Sequence, residues 1–157
     1  MLTSLKNNVF IKNKFIFYSM CIFIFINILW FLYSEIKYNP YLKNLENTKG
    51  VFHSVDSEGY NFSASKPAYL ETTGNLAVVY KDNTLIIWPK INGEFDYGVI
   101  VEYKGESYQI SIDKNCNAIK NKDITNEEYN FLKEIIDLNN HEIKKLLEKA
   151  FTFWNLQ

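Results

Sequence analysis

Three patterns of apolar and polar positions follow one another along this chain. The first is an unbroken apolar run from Phe15 to Tyr33, FIFYSMCIFIFINILWFLY, in which only Ser19 and Asn27 are polar and nothing is charged. At about 1.5 Å of rise per residue, a helix of this length just spans a hydrocarbon core of roughly 30 Å. A soluble helix would show a polar face and this one shows none, so residues 15–33 are expected to lie in membrane lipid. Tyr18 near one end, and Trp30 and Tyr33 near the other, stand where amphipathic rings favour the interface. The run exits through Trp30-Phe31-Leu32-Tyr33-Ser34-Glu35, without the small residues of a cleavage site. It therefore reads as an uncleaved anchor.

The second pattern, over residues 51–119, has period two. Early strands are expected at Val51–Val55, Tyr60–Ser63 and Ala68–Thr72, and clearer ones at Leu76–Lys81, Thr84–Ile91, Phe95–Lys104 and Ser107–Asp113. The short gaps between the later strands carry turn chemistry. Asp82-Asn83 separates the first two. Asn92-Gly93 suits a type I′ turn and Gly105-Glu106 a type II′ turn, so an antiparallel meander is expected. Tyr108, Ile110 and Ile112 alternate with Ser107, Gln109 and Ser111, giving one buried and one wet face. Leu85-Ile86-Ile87-Trp88 is apolar on both faces, as a central strand would be, and Pro89 limits pairing near its end.

The third pattern has the helical period. Thr125 and Glu128 form a capping box, followed by Phe131, Leu132, Ile135, Ile136 and Leu138. Asn139-Asn140 reads as a break and a new cap. Ile143, Leu146, Leu147, Ala150, Phe151 and Trp154 then share one face of a second helix. Two C-terminal helices are thus expected to cover one face of the sheet, which needs such a cover. Between the anchor and the strands, residues 34–50 are polar and read as a juxtamembrane spacer or short helix in which Pro40 opens a turn carrying Tyr41, Leu42 and Leu45. The organisation expected is a cytoplasmic tail (1–14), a transmembrane helix (15–33), a spacer (34–50) and an extracytoplasmic α+β domain (51–157).

Charge adds an orientation. Lys12 and Lys14 abut the start of the span, whereas Glu35 shares its exit with Lys37. The near-flank lysines place the N-terminus in the cytoplasm. Three of the 17 basic residues precede the span, leaving 14 against all 18 acids, and every basic residue is lysine. A mildly acidic domain without arginine has no bidentate forks for phosphate or guanine, which argues against nucleic acid as a partner. Cys21 falls in the span and Cys116 in the outer domain, so they cannot join, and the fold must be held by packing.

Candidate chemistry is thin. His53 and His141 fall in different elements, and the sequence has no H-E-x-x-H, no paired C-x-x-C and no glycine-rich phosphate loop. Ser63-Ala64-Ser65-Lys66 matches S-x-x-K, in which a lysine activates a serine, but the companion motifs of that chemistry are missing. Asp113-Lys114-Asn115-Cys116-Asn117 resembles the first half of an EF-hand loop, yet Ala118 replaces the required glycine and Ile124 the bidentate glutamate. An Asx-type turn after a strand explains the segment better than a cation loop. No cofactor is expected. Aromatic rings crowd the β-region, and Trp88, Tyr97, Phe151 and Trp154 are the candidates for contacting a protein partner. The sequence thus reads as a membrane-anchored binding protein rather than an enzyme: a component of an envelope or secretion assembly, or an inhibitor or immunity protein. The alternative is a small envelope hydrolase using Ser63 and Lys66.

Overall fold

A computed structural model describes residues 2–49 and 52–156. In order, its elements are α1 (Leu2–Leu42), β1 (Glu46–Lys49), β2 (Phe52–Ser57), β3 (Tyr60–Ser65), β4 (Asn75–Tyr80), β5 (Asn83–Pro89), β6 (Phe95–Tyr103), β7 (Glu106–Ile112) and α2 (Asn126–Trp154). The fold is α+β. The chain divides into two compact units, residues 1–37 and 38–157.

The first unit is helical. Among the described residues, Lys14–Leu42 is the one helical stretch long and apolar enough to cross a membrane. Apart from half-buried Trp30, its large side chains are exposed from Phe15 (73%) to Leu32 (46%). In lipid, backbone polar groups have to be satisfied within the helix itself. Even the polar Asn27 follows that rule: its Nδ2 donates to the Phe23 carbonyl one turn back, at 2.7 Å.

The second unit is built on a seven-stranded antiparallel meander in which each strand pairs with the next. Period-two alternation sorts its side chains onto two faces. Val55, Phe62, Val78, Leu85, Val99 and Ile110 stand in register across six strands on one face. α2 lays Ile135, Ile136, Ile143, Leu146, Leu147 and Ala150 on the same core. The N-cap half of the capping box forms, with the Thr125 hydroxyl accepting the Glu128 N–H at 3.1 Å.

The expected break at Asn139-Asn140 is absent, and one continuous helix replaces two. Asn139 turns its amide back to the Ile135 carbonyl at 2.9 Å instead of capping a new helix. The buried stripe stays in phase through it, because Ile136 and Ile143 lie seven residues, about two turns, apart. Two other expectations fail locally. Ala68–Thr72 is a turn, with Leu70 at φ 63° and both Tyr69 and Leu70 exposed. Residues 46–49, read as spacer, form the edge strand β1. Val51, expected to open a strand, lies outside the described residues.

The hairpin turns also differ. The β6–β7 loop is Lys104-Gly105, both residues at positive φ (55° and 81°), which is the type I′ geometry rather than II′. The β4–β5 loop is Lys81-Asp82, one residue earlier than expected, since Tyr80 pairs with Asn83. Between β5 and β6, the Gly93 N–H donates to the Lys90 carbonyl at 3.1 Å, and Gly93 alone in that loop has positive φ (87°). That is a type I turn closed by a left-handed glycine, not type I′.

The end of α1 belongs to the second unit. Tyr38 is fully buried there, its hydroxyl accepting the Gly74 N–H at 2.6 Å and facing the Pro89 carbonyl at 3.5 Å. A Cβ on Gly74 would stand 2.1 Å from the Ser65 carbonyl oxygen and 2.8 Å from the Tyr38 ring, so only glycine fits. Leu42 and Leu45 join the core, and the Trp154 indole donates to the Tyr41 carbonyl at 3.0 Å. That bond satisfies one of the carbonyls a helix end leaves without an intrahelical partner.

Candidate functional site

The core residues of β5 are Leu85 and Ile87. Alternation therefore turns Thr84, Ile86 and Trp88 to the opposite face. On that face Ser54, Ser63, Ala77, Ile86, Gly98 and Ser111 stand in register across six strands. Val79, Thr84, Ile100 and Gln109 form the next row. α2 packs on the other side; most of these residues are half-buried, and Ser63 and Gly98 are buried.

Trp88 is the largest group on this face, and its ring lies over Gly98. A Cβ at Gly98 would meet the Trp88 ring at 2.9 Å, so the glycine makes the seat for the indole. Trp88 stands opposite Asp96, which is held by Lys90 at 2.7 Å. The result is a flat surface of one indole, aliphatic groups and hydroxyls, rimmed by an ion pair. Chemically it can stack on and exclude water from a complementary apolar surface.

The four aromatic candidates separate. Tyr97, Phe151 and Trp154 all pack against the helix-covered core, half-buried. The Tyr97 and Phe151 rings are 6.1 Å apart, and burial pushes the Tyr97 hydroxyl above its ordinary pKa. Trp154 meets Phe62 edge-on at 5.8 Å, while Phe62 stacks on Phe153 at 4.1 Å. Trp88 alone belongs to the open face. Period-two reading missed this separation because the parity of Trp88 against Tyr97 depends on register. Trp88 pairs with Asp96, and Tyr97 is its next-door neighbour on the opposite side.

The two chemical motifs find structural settings. Ser63 is 7% exposed in the middle of β3, paired with Ser54 and Ala77. The Ser65 hydroxyl donates to the Lys66 carbonyl at 3.1 Å. Residues 113–117 form a closed turn. One Asp113 carboxylate oxygen accepts the Asn115 and Asn117 N–H groups, each at 2.8 Å, and the other accepts the Asn117 amide at 2.9 Å. Burial acts to raise the Asp113 pKa, but the bonds from Asn117 and Asn115 together outweigh it and hold the carboxyl below its ordinary value. Cys116 in the same turn is buried, and burial pushes its thiol up, away from the reactive thiolate. Beside it, Lys114, Lys144, Glu148 and Phe151 help line a shallow cleft of about 390 Å³. Among the described residues no group of three or more histidine, cysteine or carboxylate side chains is gathered as a metal site would need. No family model, curated protein or solved structure matches this chain.

Proposed function

We propose that this chain is a single-pass membrane protein whose domain, residues 38–157, lies outside the cytoplasm and binds a protein partner through the open face of its sheet. The observation that carries this reading is the contrast within one sheet. α2 buries one face, while the other presents Trp88 on Gly98, with Ile86, Val79 and Ile100 around it. Aromatic rings set among aliphatic and hydroxyl groups are the usual centre of a protein interface, and half-buried Trp88 has that setting. Lys12 and Lys14 at the start of the apolar span support the orientation. A role in an envelope or secretion assembly, or as an inhibitor or immunity protein, fits such a surface.

The test uses the full chain in its own membrane. Protease added to intact cells, or to spheroplasts where an outer membrane bars access, should digest residues 38–157. Digestion only after lysis would overturn the orientation. A photo-reactive residue in place of Ile86 should give one discrete adduct, and Trp88→Ala should lose it while the domain stays folded. An adduct pattern unchanged by Trp88→Ala would overturn the binding face.

A further inference from the structure

The two edges of the sheet are built differently. β1 has four residues, carries charges at both ends and pairs with β2 through a register shift between Asn47 and Lys49. Those are the features by which natural edge strands discourage pairing with another chain. β7, Glu-Ser-Tyr-Gln-Ile-Ser-Ile, has no lysine, no proline and no shift against β6, and its one charge sits at its start.

The direction of the backbone groups on β7 follows from the bonds beyond it. The Ser111 carbonyl accepts the Ile119 N–H at 2.8 Å, and the Asp113 N–H donates to the Asn117 carbonyl at 2.9 Å. Residues 111 and 113 therefore aim their backbone groups away from β6. By the alternation of an antiparallel ladder, so do Ser107 and Gln109. Both are exposed, and their outward groups make no bond among the described residues. The chain's own residues 117–119 thus cover one end of the β7 edge and leave Glu106–Ile110 open.

We propose that this open edge pairs antiparallel with the same edge of a second copy of the chain, about a two-fold axis through Tyr108. The register is set by the free window. Ser107 faces Gln109 of the second copy, and the two pairs so formed exchange four backbone hydrogen bonds. Glu106 falls opposite Ile110, so no like charges meet. The second copy's strand ends at its Lys104-Gly105 turn just where Ile119 occupies the first copy's edge. A second copy also explains an exposed ring. Phe131 contacts Tyr108 edge-on at 5.4 Å yet stays 38% exposed at this rim. Two-fold pairing brings a matching Tyr108–Phe131 pair alongside and covers both, which an unrelated extended peptide would not supply. The inference does not rest on the Trp88 face.

The experiment uses the full chain in detergent micelles with Cys21→Ser, so that no thiol remains on the apolar span. In the proposed register, Tyr108 faces its own copy at the short spacing of a non-hydrogen-bonded pair, within disulfide reach, whereas Gln109 does not face Gln109. Under mild oxidation Tyr108→Cys should form a covalent dimer at least ~10-fold faster than Gln109→Cys. Light scattering of the Cys21→Ser chain should give a dimer mass. Gln109→Pro should give a monomer that unfolds as before, because its outward N–H serves only the pairing and an edge tolerates proline. Equal cross-linking at the two positions, or a monomeric mass without the proline, would overturn the proposal.

Discussion

The two faces of one sheet have been solved in opposite ways. On the covered face, fully buried Val78, Leu85, Ile87, Val99 and Ile110 meet an equally buried helix stripe, and the aromatic rings fill the margins. On the open face, Ser63, Ala77, Gly98 and Ser111 keep the surface low, and one indole lies over Gly98. Small residues on both sides of Ile86 in this row give up packing that larger ones would supply. The proposed function makes of this difference a division of labour: stability on one side, recognition on the other.

The largest expected effect tests where the covered side ends. Tyr38, Leu42 and Leu45 are buried in the second unit although they precede the strands read from the sequence. A fragment of residues 38–157 should unfold cooperatively in denaturant. A fragment starting at residue 50 should lose about 5 kcal/mol or more, because each buried side chain of this size contributes roughly 1.5–3 kcal/mol. Against a total of about 5–15 kcal/mol, the shorter fragment should be partly or wholly unfolded. Equal midpoints for the two would show that this segment merely lies on the domain.

Matched truncations on the two faces come next. Leu147→Ala removes a buried member of the helix stripe and should cost roughly 2–5 kcal/mol, and Trp154→Ala roughly 3–5 kcal/mol with the bond to the Tyr41 carbonyl lost as well. Ile86→Ala, half-buried on the face opposite α2, should cost about 1 kcal/mol, near the centre of ordinary single-residue changes. Midpoints from urea titration of the same fragment, 38–157, decide it. A cost at Ile86 equal to that at Leu147 would mean that the open face is also stabilising, and the division of labour would fail.

How much of this was legible in the sequence depends on what each signal encodes. Strict alternation around Tyr108–Ile112 and the N-cap at Thr125 are local, and both appear where expected. The Asn139-Asn140 dipeptide is also local, but there tertiary burial of Ile136 and Ile143 overrides a weak propensity for breaking the helix. Ala68–Thr72 reads as a short strand yet has no strand to pair with, since β3 already pairs with β2 and β4. Tyr38 could not be found by periodicity, because its hydroxyl is held by Gly74 and faces Pro89, 36 and 51 residues away. The Trp88 face was missed for a similar reason: a single slip of register exchanges every side chain between the two faces.

The smallest expected effect concerns the turn that hands the chain from the sheet to the helix covering it. Asp113 ends β7 and accepts three hydrogen bonds from Asn115 and Asn117, and those bonds together hold its pKa below the ordinary value of 3.8. Its folded pKa is therefore depressed. The stability it contributes is fully present above about pH 3.8, the value in the unfolded chain, and is lost as pH falls through the lower folded value. Asp113→Ala should accordingly destabilise the 38–157 fragment at neutral pH, by an amount below that of Leu147→Ala since the carboxylate is near solvent. The gap between the two fragments' unfolding midpoints should stay constant from pH 7 to about pH 5 and narrow below pH 3.8. A gap that widens on acidification would mean that the protonated form is preferred in the turn, and that the three donors do not hold the carboxylate. A gap insensitive to pH would leave only the shape of the loop, not its charge, to guide the chain back over the covered face.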